Sequence, residues 1–359
     1  MHDFAIAAGL LVILIVLWDA FETTVLPRRV SRRFRLTRIF YRTTWIPFRA
    51  FARGIRSGNP RENFLSIFGP LSLILLLVTW AFGLIVGFAL LHWGLGSRLS
   101  VPAGISGFRA DLYLSGTTFF TLGLGDVAPT SGASRVLTVV EGGMGFGFLA
   151  LVIGYLPVLS QAFSRREATI ALLDARAGSP PTAAELLRRH GSAEDSEALS
   201  SLFREWERWS AELLESHVSF PVLAYYRSQH DNQSWVAGLA TILDVCSLIV
   251  AGIEAAPTRD ARLAFAMARH AVVDLARVFN QEPRAPRPDR LPETELARLK
   301  QALAEAGMPF KQDAGAVEHL LHLRQMYEPY AHALSEFLLM PLPAWLPPAG
   351  AKDNWQATQ

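Results

Sequence analysis

Thr117-Thr118-Phe119-Phe120-Thr121-Leu122-Gly123-Leu124-Gly125-Asp126 is the stretch on which the reading of this chain turns. It lies between two long apolar segments, residues 64–91 and 136–163. Residues 121–125 are too short and too glycine-punctuated to cross a bilayer themselves. Irregular backbone at membrane depth is tolerated only where protein buries it or a water-filled cavity solvates it. Gly123 and Gly125 can take positive φ, which most residues avoid. Alternating left- and right-handed residues turns consecutive carbonyls to one side, and such a row of oxygens can replace the hydration shell of a cation.

With that strip in its helix–loop–helix frame, residues 64–166 resemble the pore module of the potassium channel superfamily. The type is bacterial, with a single pore loop, and is similar to the modules of two-pore-domain channels. The family's filter reads Thr-Val-Gly-Tyr-Gly-Asp. The resemblance implies that Thr121, Leu122, Gly123, Leu124 and Gly125 form a selectivity filter, with Asp126 as the acid behind it. Leu122 stands where the family has Val. Leu124 replaces Tyr, which removes a hydroxyl that can brace the filter from outside; Leu or Phe occurs there in second pore loops of two-pore-domain channels. One pore loop per chain cannot close a ring, so the resemblance also implies a homotetramer around one axis. The Thr121 hydroxyl would line the innermost site, Thr117 and Thr118 would support the filter, and potassium would be the permeant ion with no other cofactor. The plain alternative is a turn between two membrane helices that contains Gly-x-Gly-Asp.

The composition fits membrane segments joined to a soluble part. The chain has 359 residues, is 51% hydrophobic and 18% charged, and carries a net charge of +2. Its mean hydropathy is +0.24. Cys246 is the single cysteine, so no intrachain disulfide forms. No Walker loop, Gly-x-Ser-x-Gly or Cys/His zinc spacing appears, which leaves an enzyme without a nucleophile or metal motif. The glycines of 142–147 lie inside an apolar run and do not make a nucleotide loop.

Residues 4–26 form a first candidate span. The apolar core 4–18 falls short of the ~20 residues that a helix needs to cross a bilayer, and extension through Asp19 and Glu22 supplies the length. With no basic stretch before it and no small-x-small site after it, a cleaved signal peptide is disfavoured. Asp19 and Glu22 either pair with Arg28, Arg29 or Arg32 or reach the headgroups. The arginines of 28–61 crowd one loop against a single acid, Glu62. The positive-inside rule places that loop in the cytoplasm and the N-terminus outside. Aromatic residues interleave with these arginines, as in a helix lying in the headgroup layer. Nucleic-acid binding is disfavoured because spans tether both ends.

Residues 64–91 read as the second span, entered through Pro70 and closed by His92 and Trp93. Residues 94–110 read as an external turret, and 111–120 as a pore helix whose first residue, Asp111, suits a helix N-terminus. Tyr113 either buttresses the filter from behind, as the family implies, or sits at the interface. The inner helix is expected over 136–163. Gly145 falls at the family's hinge position, with close helix packing as the alternative. Pro157 should kink the helix. Glu141 is an intramembrane acid, so it faces either the aqueous cavity or the protein behind the filter. Ser164-Arg165-Arg166-Glu167 marks the cytoplasmic exit.

From 169 onward the chain reads as soluble and all-α, with helices at 193–217, 234–253, 260–279, 293–306 and 314–339 and Thr182 as an N-cap. Residues 225–232 are either a polar pocket, which would bind an unknown cytoplasmic ligand, or a helix end with an Asx-type turn. His319, His322 and His332 lack an acid or thiolate at metal spacing, so no metal is expected. Residues 341–348, with Trp345, should pack on the bundle. No alternating strands and no Gly-x-Gly-x-x-Gly follow the pore, so a Rossmann-type regulatory domain is not expected.

The expected fold is therefore an all-α membrane protein. It has an N-terminal transmembrane helix at 1–27, a basic interfacial segment at 28–62, a potassium-channel-like pore domain at 63–166 and a cytoplasmic helical domain at 167–359. The expected function is a cation channel of the inner (plasma) membrane, potassium-selective, gated by bending at Gly145 or Pro157. A non-selective or sodium-permeable channel and a non-conducting membrane sensor are the rival readings.

Overall fold

The computed structural model describes residues 2–24, 35–102, 105–190, 196–230, 232–253 and 256–348. Arg28, Arg29, Arg32, Arg33 and Asp231, named above as candidates, lie outside these. The chain forms two compact units, one of Met1–Phe51 with Ile67–Gln161 and one of Ala52–Ser66 with Ala162–Gln359. The basic segment 28–62 is thus divided between them.

The first unit holds α1 (His2–Thr24), most of α2 (Leu36–Gly54), α4 (Phe68–Gly94), α5 (Phe108–Phe119) and α6 (Gly132–Ala177) as far as Gln161. The α1–α4 pair is a seam of small residues. A Cβ on Gly9 would lie 2.7 Å from the Gly87 carbonyl, one on Gly83 would lie 2.8 Å from Val16, and one on Gly94 would lie 2.6 Å from Ile6. Without side chains at those positions the backbones approach closely, which is how helices associate where lipid offers no hydrophobic drive.

The acids of α1 are held by local chemistry. Asp19 is buried and accepts the backbone N–H of Thr37 at 3.1 Å, the Thr37 hydroxyl at 2.6 Å and the Trp80 indole N–H at 2.9 Å. It therefore caps the first turn of α2, satisfying a donor that a helix start leaves open. Glu22 lies 3.5 Å from the Arg35 guanidinium and accepts from the Trp18 indole at 2.7 Å. Trp45 and Phe48 of α2 pack against Phe68, at ring-centroid distances of 4.7 and 4.9 Å.

Two helix boundaries differ from expectation. The second span is preceded by a separate short helix, α3 (Asn59–Ser66), and breaks before Phe68. The inner helix does not stop near 163 but continues through Arg165 and Arg166 to Ala177, with Pro157 inside it. An amphipathic continuation carries no stop signal, so the change of polarity at Ser164 was mistaken for a helix end.

In the second unit, α7 (Ala183–Arg189), α8 (Ser196–Ser219), α9 (Trp235–Gly252), α10 (Thr258–Val278), α11 (Glu293–Glu305) and α12 (Ala314–Leu338) form a bundle. α9 is nearly all buried and is its central helix. Among the described residues, four helical segments are long and apolar enough to cross a membrane, namely His2–Thr24, Asn59–Gly94, Gly132–Ala177 and Trp235–Gly252, and the last is enclosed by its own unit. Thr182 does cap α7, accepting the Glu185 N–H at 3.3 Å.

Residue 225 ends a 3-10 helix, Pro221–Tyr225, and residues 226–230 follow it outside any helix. The carbonyls of Leu223 and Tyr226 accept from Arg166 at 2.8 and 3.0 Å, and Arg227 pairs with Glu62 of α3 at 3.4 Å. His217 packs beside Arg166, and burial together with that guanidinium holds its ring well below the usual histidine range, hence neutral. A buried ionic network crosses the bundle core. Arg290 donates to Asp244 at 2.6 Å and to Glu328 at 3.0 Å, and Tyr327 donates to Asp244 at 2.5 Å. Arg290 and Arg324 both lie over the ring of buried Trp345, which fixes the proline-rich tail on the bundle.

Candidate functional site

The strip 121–125 hangs between two anchors. Before it, α5 begins after Gly107, whose φ is +60°, and ends with Phe119 buried against α6. The Phe119 and Phe148 rings lie 5.6 Å apart. A Cβ on Gly145 would lie only 2.0 Å from the Phe119 carbonyl oxygen, so α6 must be bare there for α5 to seat. Gly145 is thus a close-packing position. After the strip, β1 (Leu99–Ser100) pairs with β2 (Ala128–Pro129) in antiparallel register, Leu99 opposite Pro129. Thr130 N–H adds a bond to the Arg98 carbonyl at 2.8 Å.

Within the strip the handedness alternates. Thr121, Gly123 and Gly125 have φ of +57°, +56° and +76°. Glycine suits such angles, and a threonine there is uncommon and is held by its surroundings. The N–H groups turn back onto the end of α5. Thr121 donates to Thr118 O at 2.9 Å, and Leu122 and Gly123 donate to Thr117 O at 2.8 and 3.4 Å. The carbonyls of Thr121, Leu122, Gly123 and Leu124 accept no hydrogen bond among the described residues. Backbone carbonyls are obligatory acceptors, so this row is open to water or to a cation.

The supporting residues act through different atoms than their names suggest. The Thr117 hydroxyl is committed to its own helix, to Tyr113 O and Leu114 O, both at 3.0 Å. It is the main-chain oxygens of Thr117 and Thr118 that hold the strip, while the Thr118 methyl faces Gly142 of α6. Tyr113 donates to Asp126 Oδ2 at 2.8 Å, and Asp126 Oδ1 accepts the Val127 N–H at 3.0 Å. Pro157 lies in α6 far along the chain from these contacts, inside an uninterrupted helix.

Glu141 is fully buried, with His92 of α4 3.5 Å away and Ser115 of α5 beside it. Of its two open placements, the structure has the one behind α5. His92 and Ser115 were missed by the sequence reading. A histidine beside a tryptophan at a helix end looks like an interfacial belt, and no spacing links residue 92 to residue 141. Among the described residues, no three metal-ligating side chains come together.

Residues 74–159 match a family described as "Ion channel", a potassium-channel-like pore module. The segment is an ion-channel pore module, and the chain around it is an all-α membrane protein. The chain is also similar to "Uncharacterized membrane protein YdjJ" of Bacillus subtilis (strain 168), at 26% identity over 260 residues, covering 70% of this chain and 72% of that protein. No solved structure matches significantly.

Proposed function

We propose that the protein is a homotetrameric potassium channel in which four copies of Thr121–Leu124 line a single-file path. The observation that carries this reading is the row of uncommitted carbonyls at alternating handedness, held from behind by the end of α5. A ring of such oxygens substitutes for water around an ion. The dipole of α5 places its negative end toward the cavity below. A second feature supports assembly. Leu122, Leu124, Val139, Phe146, Leu149 and Ile153 are all more than half exposed in the single chain. Exposed apolar side chains in this number suit a face for other copies or for lipid.

In this reading the inner helix bends at Pro157 or Gly145 to gate the path, and the helical unit biases that bend. The arginine-rich segment and Arg165–Arg166 lie in the cytoplasm and the N-terminus lies outside, in the inner membrane. The 63–166 pore domain and the 167–359 helical domain divide the labour between conduction and control, and no cofactor beyond the permeant ion is needed. Residue 124 favours a second reading. Leucine there has no hydroxyl to brace the filter, which suits a sodium-permeable or non-selective channel.

Purified protein in liposomes under bi-ionic potassium/sodium conditions decides. The expected reversal potential lies far toward potassium, and a value near zero replaces potassium selectivity by non-selective conduction. Absence of flux from a verified tetramer replaces the channel by a non-conducting sensor. Gly123→Ala, which puts a Cβ at φ +56°, is expected to abolish flux and leave assembly intact.

A further inference from the structure

A polar cluster behind α5 is not used by the ion path. His92 and Glu141 are fully buried, with His92 Nε2 3.5 Å from Glu141 Oε2. Among the described residues, neither oxygen of Glu141, nor His92 Nε2, nor Ser115 Oγ has a hydrogen-bond partner. The other ring nitrogen is engaged, with Nδ1 3.0 Å from Ser97 Oγ. A serine hydroxyl can donate to that nitrogen or accept from it, so the ring can present an N–H to Glu141 in either charge state. Asp111 is buried one turn before Ser115 on the same helix. From α1, His2 reaches only the neighbouring Trp93 carbonyl, at 3.3 Å. Tyr113 and Asp126 are paired with each other at the strip end of α5.

A buried carboxylate with both oxygens unpaired is strongly disfavoured, and so is an unpaired imidazolium. One proton held between the two side chains relieves both, whichever side chain carries it. The pair lies where α4, α5 and α6 meet, with Ser115 of α5 buried beside it. We propose that His92 and Glu141 share one titrating proton and are positioning residues for α5, so that conduction through the strip depends on the protonation of this pair. The inference rests on the reading of the strip as the ion path.

The test uses full-length protein with 15N-labelled histidine in lipid nanodiscs, with the His92 signal identified by its loss in His92→Gln. The expected result is that Glu141→Gln moves the His92 titration midpoint by about one pH unit or more, because an opposite charge within ~4–6 Å changes proton affinity about tenfold or more. Glu141→Asp, which keeps the carboxyl but withdraws it, must also move the midpoint, and it serves where the glutamine variant does not fold. The pH profile of potassium flux into liposomes is expected to move with the midpoint. An unmoved midpoint overturns the shared proton. A moved midpoint with superimposable flux profiles overturns the link to conduction. A moved midpoint with no flux from either protein supports the pair and refutes the channel reading instead.

Discussion

The phenol of Tyr113 donates to Asp126 across 2.8 Å, so the middle of α5 is tied to the residue that closes the strip. The other end of the strip is tied to the same helix through the Thr117 carbonyl, 2.8 Å from Leu122 N. Both ends of the carbonyl row are therefore fixed to one rigid element, and the row between them has little freedom to collapse.

Tyr113→Phe removes the first tie without changing the packing of the ring. A hydrogen bond to a charged acceptor at a partly solvated site is worth on the order of 1 kcal/mol, or about fivefold in an equilibrium. The open probability in single-channel recordings is expected to fall by about that factor while the tetramer survives. Asp126→Asn should act in the same direction, with the double variant adding little; additive effects would show that the two side chains do not work as a pair.

Gly145→Ala tests packing against hinging. The added methyl meets the Phe119 carbonyl at 2.0 Å, a backbone atom that cannot swing away. Overpacking of this kind costs about 1–3 kcal/mol. The melting temperature in detergent is expected to drop for Gly145→Ala. Gly147→Ala has nothing within 4 Å and should leave it unchanged or raised. A Gly145→Ala protein of normal stability with altered gating would restore the hinge.

Asp19→Ala leaves the first turn of α2, the Thr37 hydroxyl and the Trp80 indole without their acceptor. Hydrogen bonds to a charged group contribute about 1.5–3 kcal/mol each, so the variant is expected to lose about 3 kcal/mol or more. Trp80→Phe, which removes one donor, should lose less. Thermal unfolding of the two variants side by side checks the order, and equal losses would mean that the indole bond carries the effect alone.

Acid weakens the helical unit through Glu185. Hydrogen bonds from Arg188, and then from Arg189, hold its carboxyl down from 4.5 to about 2 despite partial burial. The folded state thus binds the proton more weakly than the unfolded one. Its contribution is complete above about pH 4.5 and is lost as pH falls toward about 2. Glu185→Gln is expected to lower stability at pH 7 and to make it less dependent on pH over that window. An acid-unfolding curve with the slope of the wild type would refute the pairing.

The pore-forming elements were legible because local rules govern them. Glycines at alternate positions, an acid in the first turn of a short helix and two apolar runs suffice to place α4, α5 and α6. Thr182 announced its helix in the same way, by its own side chain. What escaped the sequence depends on distant partners. Asp19 was expected either to pair with Arg28, Arg29 or Arg32 or to reach the headgroups, but Thr37 and Trp80 donate to it, and nothing in the spacing of residues 19 and 80 predicts that meeting. The Glu141–His92 pair and the Arg290–Asp244 pair are of the same kind. Both join residues that share no helix, in places where burial makes a partner obligatory but does not name it. The reach of α6 to Ala177 escaped for the opposite reason, since a helix that leaves a membrane need not end there.

The glycine seam gives α1 a further meaning. α1 lies outside the segment that matches the channel family, yet it fills a trench in α4 whose floor is bare main chain at Gly83, Gly87 and Gly94. Stripped of α1, that flank would expose bare main chain at those glycines, and acyl tails would have to fill the gap. α1 is in effect a permanent, covalently attached annular lipid, and it shields one flank of the module from whichever fatty acids the cell happens to make.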